Sequence, residues 1–187
     1  MQKVIQYLLD KIIEESRMKA FTSEDQIHGY ILGMLREKQK ELHYVLKREV
    51  PTTHQYSKTE DGVLFINQTG KGRKKGNIDF WLESNQGQCG IELEYPRGQG
   101  RTNPEYFSAH IENDCIKLTN EKLDYRILLL FIYQDLPIGP NEIINIVKDY
   151  PEVMFICLRL RRQDEFRLEF SSVLNYFTWP KDWINVP

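Results

Sequence analysis

Residues 76–97 read GNIDFWLESNQGQCGIELEYPR, and this stretch decides the fold. Ile78, Phe80 and Leu82 alternate with Asp79, Trp81 and Glu83; Ile91, Leu93 and Tyr95 alternate with Glu92 and Glu94. Period-two alternation predicts two strands, each with one apolar face. Ser84-Asn85-Gln86-Gly87 predicts a four-residue hairpin loop, which pairs Glu83 with Gln88 and, counting back, Asp79 with Glu92. Side chains of such a pair lie roughly 4.5–5.5 Å apart. Asp79, Glu92 and Glu94 then share one patch, and such a patch repels itself unless a cation sits in it. Solvated glutamates on a half-exposed sheet are the bland alternative. The acidic residue types suit Mg²⁺ or Mn²⁺, which prefer oxygen ligands.

Working outward, Val4, Ile5, Leu8, Leu9, Ile12 and Ile13 predict a first helix over residues 3–18. Ser23 with Gln26 fits a capping box, and Glu24 and Asp25 suit the positive end of a second helix striped by Ile27, Tyr30, Ile31, Met34 and Leu35. Glu24 lies on the edge of that stripe. Residues 42–50 read as a strand stopped by Pro51, residues 52–61 as a polar loop and residues 63–66 as a short strand. Residues 70–76, GKGRKKG, predict a basic, glycine-rich loop leading into the Asp79 strand, and residues 96–102 a second loop with cations and glycines. Arg73, Lys74, Lys75, Arg97 and Arg101 are the candidate contacts to a phosphate backbone, with Tyr95 beside them; on their own they also read as plain surface chemistry.

Asn103-Pro104 begins a helix with Phe107, Ile111, Cys115 and Leu118 on one face, and Asp114 and Lys117 on neighbouring parts. Residues 125–133, YRILLLFIY, suit a central strand covered on both faces, so the passage from Glu94 to Tyr133 implies a parallel crossover. A short helix over 141–148 and strands over 153–161 and 166–170 follow, with an aromatic tail over 171–187 packing as a lid or short helix.

The 187 residues, 41% hydrophobic and 28% charged, suit one soluble domain over residues 1–187. The net charge of −2 gives no global argument for nucleic acid. No signal peptide or membrane span is visible, and Cys89, Cys115 and Cys157 read as reduced core residues of a cytoplasmic protein, with no zinc site.

The order helix, strand, strand with Asp, turn, strand with Glu-x-Glu, helix, strand resembles the core of the PD-(D/E)xK nuclease superfamily, the restriction-endonuclease-like fold. Residues 76–83, GNIDFWLE, are similar to its Asp strand, and residues 90–98, GIELEYPRG, to its (D/E)-x-K strand. The second segment resembles in particular a Glu-x-Lys-Tyr-Pro-Arg variant of uncharacterised prokaryotic members. The resemblance spans about residues 24–133. It implies an α/β fold, a mixed central sheet flanked by helices in αβββαβ order, with a core over about 22–135, an extra N-terminal helix and a C-terminal extension over about 136–187. It implies Asp79 and Glu92 as metal ligands for Mg²⁺ or Mn²⁺, and hydrolysis of nucleic acid, DNA before RNA; it admits a homodimer.

Glu94 stands where the family usually has lysine. A minority of restriction enzymes with this fold carry Glu there and remain active. Glu94 then binds metal or acts as general base, and Lys117 or a cation of residues 73–75 supplies the missing charge. Glu24 matches the acidic residue that some members carry on the helix before the core. The competing expectation is a lapsed member of the fold that binds nucleic acid or assembles with protein. Glycoside chemistry by a carboxylate pair is weaker, because no aromatic sugar cleft surrounds the pair.

Overall fold

The computed structural model describes residues 1–16, 24–60, 62–66, 74–94, 104–133, 143, 145–146, 148–164 and 167–174; for residues 13–16, 24, 104, 106, 131–133, 157–164 and 167–174 this means the backbone alone. In chain order the elements are α1 (Gln2–Ser16), α2 (Glu24–Lys38), β1 (Val45–Lys58), β2 (Leu64–Ile66), β3 (Lys74–Ser84), β4 (Gly87–Glu94), α3 (Pro104–Asn120), β5 (Tyr125–Tyr133), β6 (Met154–Asp164) and β7 (Arg167–Leu174). The strands form one seven-stranded sheet in the order β2-β1-β3-β4-β5-β6-β7. Pairing is antiparallel from β2 to β4, parallel through β4, β5 and β6, and antiparallel again at β7. This is an α/β fold on a mixed sheet, and from α2 to β5 it follows the expected αβββαβ order with the short β2 added.

Two apolar layers flank the sheet. Val4, Ile5, Leu8 and Ile12 of α1 and Ile27, Ile31 and Leu35 of α2 recur at helical spacing and pack with Phe80, Leu82, Ile91, Leu93, Ile127 and Leu129. Phe107, Ile111, Cys115 and Leu118 of α3 pack on the other side with Ile78, Leu128, Leu130 and Phe155. Each such side chain contributes roughly 1.5–3 kcal/mol by leaving water. Residues 127–130 of β5 alternate between the two layers and are all fully buried, which explains their continuous apolar run. Cys89 and Cys115 are buried free thiols.

Several boundaries differ from the sequence reading. Leu42 precedes β1, which starts at Val45 and runs through Pro51 to Lys58, where a strand end and a loop were expected. Among the described residues β2 pairs with β1 only at Tyr56–Lys58, so none of them needs an N–H from Pro51 on that side of the strand. A register shift between Pro51 and Gln55 takes up the irregular residues. Lys74, Lys75 and Gly76 belong to β3, not to the preceding loop, because Lys75 and Lys74 pair with Gln55 and Tyr56 of the lengthened β1.

The hairpin turn is Asn85-Gln86, tighter than expected, with Ser84 paired to Gly87 and the predicted Glu83–Gln88 pair beyond it. Gly87 has φ +123°, and a Cβ there would stand 2.5 Å from Asp124 Oδ2, so only glycine fits. β7 continues to Leu174 through residues expected to begin the tail, since they pair with β6. Residues 175–187 lie outside the described residues.

Candidate active site

Alternation along β4 sends Ile91 and Leu93 to the layer under α1 and α2. Glu92 and Glu94 therefore face α3, which covers them. They are buried, at 1% and 6% exposure, rather than solvated. Burial of this kind is costly for a carboxylate unless something compensates its charge.

Asp79 stands where β3 breaks its own pattern. Phe80 and Leu82 pack on the α1–α2 side, but Ile78 packs under α3. Asp79 is skipped in both ladders: β1 pairs Arg48 with Phe80 and Val50 with Ile78, and the β3–β4 pairing ends at Phe80–Ile91. The expected Asp79–Glu92 ladder pair is thus absent, one step beyond the last observed pair. Opposite Asp79, Glu49 takes φ +48°, a left-handed conformation uncommon outside glycine. The Leu93 N–H is donated instead to Asp79 Oδ2 at 2.8 Å, so the carboxylate reaches across the gap in the hairpin.

From the α1–α2 side, His28 Nε2 lies 3.8 Å from Asp79 Oδ2, and its ring leans on Phe80 with centroids 5.4 Å apart. Burial pushes the Asp79 carboxyl up to about 6; the Asp114 charge adds to this, while His28, Lys117 and the Leu93 N–H act against it. Burial also raises Glu92 well above the usual carboxylate range, Lys117 opposing and the Asp114 and Asp79 charges reinforcing the shift.

The compensating charge comes from α3. Lys117 Nζ lies 2.6 Å from Glu92 Oε1 and 2.8 Å from Asp114 Oδ1. It also donates to the Asn77 carbonyl at 3.2 Å. Glu92 Oε1 has no well-directed hydrogen-bond donor among the described residues, so its short contact with Lys117 acts as a charge contact. Burial alone would depress the lysine, but Asp114 and Glu92 outweigh it and hold its pKa well above the ordinary value.

Local packing fixes this lysine. Its stem crosses β3 at Gly76, where a Cβ would stand 2.9 Å from Lys117 Cδ. Just beyond α3, buried Glu121 accepts the Thr53 N–H at 2.7 Å and the Thr53 hydroxyl at 3.0 Å, tying the helix end to β1. Arg126 donates to the Leu118 and Glu121 carbonyls at 3.0 and 3.3 Å, closing the last turn. The height of Lys117 over the sheet is set by these contacts.

Glu94, one pleat further along β4, faces a different partner. His110 Nδ1 of α3 lies 3.8 Å from Glu94 Oε2. Among the described residues, no three or more His, Cys, Asp or Glu side chains are gathered so as to hold a metal ion. Lys74 and Lys75 are exposed at the start of β3. Glu24 opens α2, with its backbone alone described. Arg73, Tyr95, Arg97 and Arg101 lie outside the described residues.

Asp114, His110 and His28 carry parts of this site that the sequence reading left without a role. The signal was there in α3: His110, Asp114 and Lys117 recur at helical spacing beside the apolar stripe, which places them on one face. His28 follows Glu24 by one turn of α2.

No protein-family model matches the chain. No curated protein matches its sequence. Among solved structures, the structure of Pyrococcus furiosus SfsA in complex with Ca²⁺ is similar, at 14% identity and a TM-score of 0.35, over 83% of this chain and 69% of that one. So distant a likeness decides neither fold nor function. Among the described residues no helix is long and apolar enough to cross a membrane.

Proposed function

We propose that the chain is a metal-dependent phosphodiesterase of nucleic acid, DNA before RNA, working through Asp79, Glu92 and Lys117. The observation that carries this reading is the position of Lys117, with Nζ 2.6 Å from Glu92 Oε1. A lysine reaches the carboxylate face from α3, where β4 itself offers Glu94.

The residues suit Mg²⁺ or Mn²⁺. Asp79 and Glu92 supply hard oxygen donors whose charges couple, and Glu92 Oε1 is buried without a directed donor. Two carboxylates rather than three are enough for Mg²⁺, which keeps several of its waters and takes substrate oxygens as well. When bound, the metal would polarise the phosphate and lower the pKa of a water.

The protein's own groups divide the remaining work. Asp79 is steadied through Oδ2 by the Leu93 N–H. Lys117 would bring positive charge beside Glu92, where a phosphorane would gather negative charge. Glu94, buried beside His110, would receive or steer the water's proton. Lys74 and Lys75 are exposed cations for the backbone of the ligand.

A second reading is a lapsed member of the fold that binds nucleic acid or assembles with protein. It draws on the lack of any gathered group of three metal-ligating side chains among the described residues. Incubation of single- and double-stranded DNA and RNA with Mg²⁺ or Mn²⁺ separates the two. The nuclease reading expects cleavage that D79A and E92A abolish. Binding without cleavage, indifferent to chelator and to D79A, supports the lapsed reading.

A further inference from the structure

Asp114 has no part in the reading above, yet it shares the Lys117 ammonium with Glu92. The two carboxylates hold Nζ at 2.8 and 2.6 Å. Asp114 sits three residues before Lys117 on α3, one turn away, and is itself buried, at 8% exposure. Both acceptors stay within reach of one lysine head group without any movement of the helix.

A cation beside Glu92 is therefore already present in the metal-free protein, and it belongs to the chain. A divalent ion arriving at Glu92 meets a fixed positive charge at close range, a repulsion that the poorly screened interior magnifies. Lys117 can yield only toward something that accepts it. The stem is confined over Gly76, and among the described residues the acceptors of the ammonium other than Glu92 are Asp114 and the Asn77 carbonyl. Of these, only Asp114 is anionic.

We propose that Lys117 and Asp114 form a displaceable counter-ion: the ammonium stands in for the metal at Glu92, and Asp114 is the positioning residue that holds it when a divalent cation takes Glu92 over. This inference rests on the reading of Asp79 and Glu92 as metal ligands. It makes Asp114 act on the metal through Lys117, not as a ligand.

The test is calorimetric titration of the full chain with Mn²⁺, with no nucleic acid present. K117M is expected to bind Mn²⁺ about tenfold more tightly than wild type, because the competitor is gone. K117R keeps the charge and is expected to bind no more tightly than wild type. D114N is expected to bind about tenfold more weakly, since Lys117 then has no anion to retreat to. In the K117M background the D114N loss should shrink, which a purely electrostatic or ligating Asp114 would not produce. K117Q carries the same test where the Met variant does not fold.

Wild-type binding that disappears in E92A, with K117M and K117Q no tighter than wild type, overturns the counter-ion and leaves the metal site standing. A D114N loss as large in K117M as in wild type overturns the role of Asp114. If wild type binds no Mn²⁺ and neither do the lysine variants, the metal reading falls and takes this inference with it.

Discussion

Lys117 Nζ stands 2.6 Å from Glu92 Oε1, joining the helix that follows the carboxylate hairpin to the strand that carries its central acid. Glu92 is buried and Lys117 half-buried, so removing the lysine strips the buried carboxylate of its counter-charge. K117M is expected to lower metal-free stability by about 3 kcal/mol, the order seen when one member of a buried pair is lost. It is expected to cut cleavage by about 10²–10³-fold, as for loss of one stabilising donor in a transition state. Urea unfolding and single-turnover cleavage read the two effects separately.

Gly76 is where the lysine stem passes over β3. Its Cβ would lie 2.9 Å from Lys117 Cδ, against a stem held at its far end by three acceptors. G76A is therefore expected to cost about 1–2 kcal/mol of stability as an overpacking change. It should lower kcat more than it raises KM, because the ammonium is displaced from its place. Steady-state cleavage of a labelled oligonucleotide checks the split.

Asp79 predicts how metal-free stability depends on pH. Its folded pKa is raised by burial from 3.8 to about 6, so the folded protein holds this proton more tightly than the unfolded chain. The contribution is fully present below about pH 4 and is lost as pH rises to about 6, amounting to about 2–3 kcal/mol. D79N cannot ionise and is expected to remove that part of the slope. Denaturant midpoints between pH 4 and 7, for wild type and D79N in chelator, give the comparison.

At the other end of the hairpin, Gly87 combines φ +123° with a Cβ position 2.5 Å from Asp124 Oδ2, the same oxygen that accepts the Gln88 N–H at 2.8 Å. G87A is expected to destabilise by about 2 kcal/mol through strain and the lost contact. It lies at the turn, away from Asp79 and Lys117, so the folded fraction should cleave at the wild-type rate. Thermal unfolding together with activity per folded molecule tests this.

Much of the scaffold was legible because its signals are periodic. The apolar alternation of Phe80, Leu82, Ile91 and Leu93 and the run at residues 127–130 are consequences of which faces are covered, and they fixed the hairpin and the parallel crossover. Pro51 misled because a proline reads as a strand stop, whereas β1 runs through it and keeps its pairing with Asn77 of β3.

At the site, composition and order pointed to Asp79 and Glu92, and to Lys117 as one source of the missing charge. The gap in the hairpin at Asp79 was not legible. It arises from the left-handed Glu49 on another strand and from a side chain taking a backbone partner, and neither leaves a mark in local sequence. Asp114 was visible on the helix, but its meaning depends on the distance from α3 to β4, which only packing sets.

The most direct measurement is Mn²⁺-dependent cleavage of supercoiled plasmid and of single- and double-stranded oligonucleotides by wild type, E92A and D79A in parallel. Cleavage by wild type that chelator stops, and that falls by at least about 10³-fold in both variants, is expected of a metal site at Asp79 and Glu92. Folded wild-type protein that cleaves none of these substrates with Mg²⁺ or Mn²⁺, or an E92A variant as active as wild type, would contradict it.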